Sequence, residues 1–109
     1  MTQLEHNMTV LRRLFEPWNT APHGPVIWEP EASDANAQFK RGIISKAAKV
    51  ITAGESALAG ASFTMPQFGE SEFNAISATL ATDHEERAFH ELAVACESVV
   101  KALGRVSGA

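Results

Sequence analysis

Apolar side chains recur at helical spacing through the last third of the chain, and residues 70–103 contain neither Gly nor Pro. One face of the predicted final helix carries Phe89, Leu92, Ala93, Cys96, Val99, Val100 and Leu103. Such spacing is typical of an amphipathic α-helix packed on a core. Because the apolar row changes phase between Leu80 and Phe89, we expect either one bent helix or two helices broken near Thr82.

A first amphipathic helix is predicted at the amino terminus. Thr2 and Glu5 have the spacing of a capping box, in which each side chain satisfies a backbone amide of the first turn. The apolar row that follows is Leu4, Met8, Leu11 and Phe15. Pro17 disfavours helical geometry in the residue before it, so we expect this helix to end near Glu16.

A second helix is predicted to follow Ser33 or Asp34 as its N-cap. Its broad apolar face consists of Phe39, Ile43, Ile44, Ala47, Ala48, Val50 and Ile51. Gly54 is the expected stop of this helix, with residues 57–61 as a candidate extension. A short strand is possible at 62–65, and Ser71 is the expected N-cap of the last helical stretch.

Residues 17–33 have a different character, since the four prolines exclude both a helix and a central strand. We therefore expect an extended arm between the first two helices. The complete prediction is an all-α fold with three or four helices packed around a long C-terminal helix. It treats residues 1–109 as a single helical domain.

The charge balance narrows the classes of partner. Nine Lys and Arg stand against thirteen Asp and Glu, which gives a formal net charge of −4. A net acidic protein is not a default binder of nucleic acid or membranes. The chain shows no long apolar run and no signal peptide, and its single cysteine, Cys96, favours a reducing compartment. A cytoplasmic protein without a membrane partner is predicted.

The Pro/Trp-rich arm offers one candidate binding surface. Trp18 continues the apolar row of the first helix, so we interpret it as a core residue. Trp28 has no helical row to join, and tryptophan dominates many interface hot spots. The candidate partner-binding residues are His23, Val26, Ile27 and Trp28.

The second helix offers another candidate surface, because residues 35–54 include no acidic residue. The candidate anion-binding residues are Arg41, Lys46 and Lys49, with Lys40 on their flank. They can bind nucleic acid or a nucleotide phosphate. Alternatively, they form a solvated face whose charges are balanced by the acidic stretch at 83–97. We favour the second interpretation, since charge on the outer face of a helix is the norm.

Catalytic and metal-binding signatures are weak. His84, Glu86 and His90 do not match H-E-x-x-H, and His84 and His90 point to different sides of a helix. A Glu86–His90 pair along the helix is the simpler expectation. Cys96 sits in the apolar row, where a free cysteine behaves as a small hydrophobe. We predict no catalytic residue, no metal and no cofactor.

These observations favour a small non-enzymatic protein-binding or assembly module that acts as a homodimer or higher oligomer. Its partners are expected to be itself and another protein. The alanine content hints at a bacterial or phage gene, and a regulatory accessory or inhibitor protein is one form of such a module. The alternative function is an anion binder that uses the basic face of the second helix on nucleic acid or nucleotide phosphate.

Overall fold

The computed structural model describes residues 2–18 and 36–107. The fold is all-α, and no strand occurs in these two stretches. The helices are α1 (Gln3–Phe15), α2 (Ala37–Leu58), α3 (Glu70–Thr79) and α4 (Glu86–Ser107). Most of the predicted Pro/Trp-rich arm lies outside the described residues, so that part of the fold prediction stays a prediction.

The beginning and end of α1 follow the sequence signals. The Thr2 hydroxyl accepts a hydrogen bond from the Glu5 amide at 3.1 Å, and the Glu5 carboxylate accepts one from the Thr2 amide at 3.3 Å. After α1, residues 16–18 form one 3-10 turn rather than the start of an extended arm. This turn buries Trp18 against Phe89, with 4.9 Å between ring centroids, which confirms Trp18 as a core residue.

Helix α2 corrects its predicted start and includes part of its candidate extension. It begins after Asn36, and it continues through Gly54 to Leu58, as the candidate extension allowed. Gly54 is buried against Met8 of α1, so its missing side chain allows close packing of the two helices rather than ending α2. The stop comes at Gly60, whose φ of 76° lies in the left-handed region that glycine adopts without strain.

The last helical stretch is two helices, as one of the two interpretations of the phase change expected. Residues 80–85 separate α3 from α4. Gly69, not Ser71, caps α3, and its amide donates to the Glu72 carboxylate at 2.7 Å. The possible strand at 62–65 does not form. Helix α4 runs through Gly104 and continues to Ser107.

The core lies along α4, which packs against each of the other three helices and most extensively against α1. The predicted row on α4 is fully buried at Phe89, Leu92, Cys96, Val99 and Leu103. The α1 row of Leu4, Met8, Leu11 and Phe15 is buried in the same cluster. Within the described stretches, every helix is too short or too polar to cross a bilayer.

Candidate functional site

The predicted basic face of α2 divides into residues with different environments. Lys40 is not on an exposed flank, because its side chain is 0% exposed. Its ammonium lies 2.9 Å from Asp83 and 2.7 Å from Glu85. Lys40 precedes Ile43 and Ile44 by three and four residues, so it shares their buried side of the helix. This corrects its assignment to an anion-binding surface.

The Lys40 cluster joins the start of α2 to the α3–α4 connection. Asn36 donates a further hydrogen bond to Asp83 at 3.1 Å, and Asp83 also accepts from the Glu85 amide at 2.8 Å. The hydrogen bond from Lys40, helped by the Glu85 amide, lowers the pKa of Asp83 to about 2. The Asp83 carboxylate is therefore ionised at neutral pH and holds the buried ammonium in place.

Lys46 is also occupied, though at the surface. Its ammonium lies 3.2 Å from the Glu72 carboxylate. Burial raises the pKa of Glu72, but the Gly69 amide and Lys46 outweigh that effect and lower it overall. These pairs match the expectation that acidic residues of the same chain answer the basic helix, although Glu72 lies outside the acidic stretch named from the sequence.

Arg41 and Lys49 differ from Lys40 and Lys46. Both are exposed, and neither has a carboxylate within 4 Å among residues 2–18 and 36–107. The free positive charge of the basic helix is thereby reduced to these two side chains. The partner-binding candidates His23, Val26, Ile27 and Trp28 lie outside the described residues, and their role stays a prediction.

A groove runs between the antiparallel helices α1 and α4, and we call it the α1/α4 groove. Its volume is about 540 Å³. Its lining residues are His6, Asn7, Val10, Leu14, Arg87, His90, Glu91, Val94, Ala95 and Ser98. Val10 is 38% exposed and Val94 is 52% exposed, which is high for aliphatic side chains next to a core. The groove therefore combines an apolar surface with a polar rim.

The α1/α4 groove was not predicted from the sequence. Val10 and Leu14 lie four residues apart, beside the buried row of α1, and on α4 Val94 falls outside the buried row. Apolar residues outside the core-facing row were the sequence signal that could have indicated this groove. The sequence does not show which helices are neighbours. In the structure α1 and α4 are joined by the Asn7 side chain, which donates to the Ser98 carbonyl at 3.2 Å.

His90 borders this groove but does not pair with Glu86 as expected. Its Nε2 lies 3.2 Å from the Ser77 hydroxyl, and its ring packs on Phe73 at a centroid distance of 4.6 Å. The other ring nitrogen, Nδ1, is buried and has no hydrogen-bond partner in the described part of the chain. The Nδ1 atom of the exposed His84 lies 3.7 Å from the Asp83 carboxylate. Among the described residues, no three metal-ligating side chains converge.

A second groove lies between α2 and residues 62–67, and we call it the α2 groove. Its volume is about 710 Å³. Hydroxyl side chains line it together with Phe63 and Met65, and Lys49 is the charged residue of the lining. Helical spacing places Ser45, Lys49 and Ser56 along one face of α2. Lys49 was predicted from the sequence as a candidate binding residue, whereas the hydroxyl groups around it were not.

The single thiol is not exposed to either groove. Cys96 is fully buried in the core. Burial raises the pKa of the Cys96 thiol far above its usual range. Since the thiolate is the reactive form, this cysteine is a packing residue rather than a nucleophile.

Comparisons of the chain with protein-family models, with curated proteins and with solved structures find no match.

Proposed function

We propose that the protein is a small non-enzymatic assembly module whose α1/α4 groove binds a second copy of the chain. The exposure of Val10 and Val94 beside this groove is the observation that carries the proposal. Contiguous apolar surface on a small protein is favourable to bury in an interface. A homodimer about a two-fold axis is the commonest way to bury such a patch.

The charges on the rim favour a second copy as the occupant. Arg87 and Glu91 lie one helical turn apart, and their charged groups are 3.5 Å from each other within the same chain. A two-fold interface brings one patch against itself, so the patch needs both signs of charge to be complementary to itself. Arg87 and Glu91 supply both signs beside the apolar part of the groove.

A matched pair of valine substitutions tests this interface. Val94→Glu places a carboxylate in the proposed interface, where its desolvation is unfavourable. Val106→Glu is the control, because Val106 lies on the same helix, is 49% exposed against 52% for Val94, and does not line the groove. We expect sedimentation to show a dimer for the wild type and for Val106→Glu, with dimer affinity at least about tenfold weaker for Val94→Glu.

Charge reversal sharpens the same test. Arg87→Glu and Glu91→Arg, each alone, make the patch repel itself, and the double reversal restores both signs. We expect weaker dimers for the single variants and recovery for the double variant. A wild-type chain that sediments as a monomer at micromolar concentration would overturn the proposal, as would equal loss of dimer for Val94→Glu and Val106→Glu.

The second candidate function is anion binding through α2. It is supported by Arg41 and Lys49, which are exposed and unpaired among the described residues. It is weakened for an extended polyanion, because Lys40 and Lys46 are neutralised by Asp83, Glu85 and Glu72 and the net charge is −4. Retention on heparin at low salt that disappears in Arg41→Gln/Lys49→Gln, but not in Lys46→Gln, would favour this function over assembly.

The arm residues remain part of the proposal as the site for a different protein. Trp28 is the residue whose truncation we expect to cost most, since tryptophan often dominates interface affinity. Native mass measurement after affinity capture with wild type and Trp28→Ala tests this. A cytoplasmic location fits the single buried thiol, and this location and an accessory or inhibitor role are both part of the proposal.

A further inference from the structure

We propose that the α2 groove binds a small amphipathic anion, in which a carboxylate or phosphate group is attached to an apolar ring or chain. Lys49 binds the charged group, and Phe63 and Met65 contact the apolar body. This inference rests on the second candidate function and narrows it from a polyanion to a small ligand. It is separate from the proposed self-association, because the two grooves share no lining residue.

The sign of the ligand charge follows from the lining. Lys49 is the charged side chain among the residues that line the groove, and no described carboxylate lies within 4 Å of its ammonium. The neighbouring Lys46 is paired with Glu72 instead. An unpaired ammonium at the edge of a concave surface attracts an anion and donates charge-assisted hydrogen bonds to it.

Further donors surround Lys49. The hydroxyls of Ser45 and Ser62 line the groove and make no hydrogen bond with other described residues. Thr52 is different, because its hydroxyl donates to the Ala48 carbonyl at 3.0 Å. The backbone of 62–67 forms no backbone hydrogen bond within the described stretches. Apart from Pro66, which has no N–H, its amide groups are therefore without a backbone acceptor and can donate to an oxyanion.

The apolar part of the lining indicates that the ligand also carries an apolar ring or chain. Phe63 is half-buried, and Met65 is 40% exposed, which leaves part of each side chain open to the groove. Ala48 and Ala53 complete the apolar surface from the α2 side. A volume of about 710 Å³ falls in the range of small-molecule sites, which are mostly apolar with a few placed polar groups.

The test uses decanoate as the probe, titrated into the full chain while the backbone amide signals are followed by NMR. We expect the largest shifts in α2 near Lys49 and in residues 62–67. Lys49→Gln should raise the dissociation constant about fivefold, the effect of one partly exposed charge-assisted hydrogen bond. Arg41→Gln is the matched control, because Arg41 is an exposed, unpaired cation of the same helix that does not line the groove.

Two further probes separate the parts of the proposal. Octyl glucoside has an apolar chain without charge, and inorganic phosphate has charge without a chain, so each should bind more weakly than decanoate. Phe63→Ser should weaken decanoate and leave phosphate unchanged. A cooperative thermal transition in each variant shows that the fold is intact, and Phe63→Ser should melt at a lower temperature because Phe63 also packs against the core.

Some results would overturn the inference. Decanoate shifts outside the α2 groove, or equal affinities for wild type and Lys49→Gln, would exclude this site. Equal affinities for phosphate and decanoate would show that the apolar chain of the ligand does not contribute to binding. Heparin retention without decanoate binding would support the polyanion function and reject the small ligand, whereas decanoate binding without heparin retention would do the reverse.

Discussion

The inward and outward faces of α2 carry the same residue types in opposite environments. Lys40 on the inward face is fully buried between two carboxylates, whereas Lys49 on the outward face is exposed and unpaired among the described residues. Glycine shows the same contrast. A side-chain carbon added at Gly54 would overlap Met8, but one added at Gly42 would meet no atom within 4 Å.

This contrast shows that position relative to the apolar rows decides the role of a residue in a helix. Lys40 is placed inward by Ile43 and Ile44, and Lys49 is placed outward beside the groove. From the sequence, both lysines were candidate anion-binding residues, with Lys40 on the flank of the basic face. Replacing the same residue type on the two faces should therefore have very different effects on stability.

The largest difference is expected for lysine itself. Lys40→Gln removes the buried ammonium and leaves Asp83 and Glu85, which are 10% and 21% exposed, without their charge partner. Breaking one side of a buried ion pair destabilises by about 3–5 kcal/mol. Lys49→Gln is the control and should change the free energy of unfolding by about 0.5 kcal/mol or less. Denaturant unfolding of the two variants measures the difference.

A second substitution shows whether the uncompensated charge is the cause. Adding Asp83→Asn and Glu85→Gln to the Lys40→Gln variant removes the remaining charges, and we expect part of the lost stability to return. Equal stability for Lys40→Gln and Lys49→Gln would mean that the inward lysine is not buried in solution.

Acid should lower the free energy of unfolding by about 2 kcal/mol through the loss of the Asp83 charge on the inward face of α2. The pKa of Asp83 is lowered from 3.8 to about 2 by Lys40 and the Glu85 amide. A lowered carboxyl pKa stabilises the folded state above the unfolded pKa, and this contribution is lost as pH falls from about 4 toward 2. Urea unfolding across this pH range measures the loss. The stability difference between wild type and Asp83→Asn should shrink below pH 4, and a constant difference would contradict the assignment.

Glycine-to-alanine substitutions should change the stability less than the lysine substitution, and with opposite signs on the two faces of α2. Gly54→Ala places a carbon against the Met8 thioether inside a filled core, and we expect destabilisation of about 1 kcal/mol, because overpacking exceeds the gain in helix propensity. Gly42→Ala has open space, so it should stabilise by about 0.5–1 kcal/mol. Thermal unfolding of both variants measures the signs.

The Gly54 effect has its own control in the contacting residue. Met8→Ala alone leaves a cavity, but it also removes the atoms that Gly54→Ala would overlap. The two substitutions together should therefore cost less than the sum of their separate costs. Additive effects would mean that α1 and α2 are farther apart at this point than the structure has them.

Much of the fold could be predicted because apolar spacing reports which side of a helix is buried. The capping box of Thr2, the end of α1 before Pro17 and the buried row of α4 were all predicted correctly. The errors arose where a local signal has two uses. Gly54 resembled a helix stop, although its small size serves close contact with Met8.

The candidate surfaces were less predictable, because a groove depends on which helices become neighbours. Lys49 was identified from charge, but its hydroxyl neighbours Ser62 and Thr64 come from a segment that follows α2 and folds back along it. The sequence likewise does not indicate that Asn7 meets Ser98. Those pairings are tertiary, and no single-helix pattern contains them.

Lys46 is the intermediate case between the two faces. Its side chain is about half exposed, and its ammonium bonds to the mostly buried Glu72. Exposed ion pairs contribute about 0–1 kcal/mol, because water already solvates the lysine well. We therefore expect Lys46→Gln to destabilise by less than 1 kcal/mol, well below Lys40→Gln and slightly above Lys49→Gln.

A double-mutant cycle with Glu72→Gln measures the Lys46 pair itself. Glu72 also accepts from the Gly69 amide that begins α3, so its single substitution includes the loss of a cap and cannot be assigned to the pair alone. The coupling energy from the cycle removes that contribution. It should be positive, below about 1 kcal/mol, and smaller in high salt, since ions screen exposed charges. A coupling as large as the loss in Lys40→Gln would show that Lys46 belongs to the inward face after all.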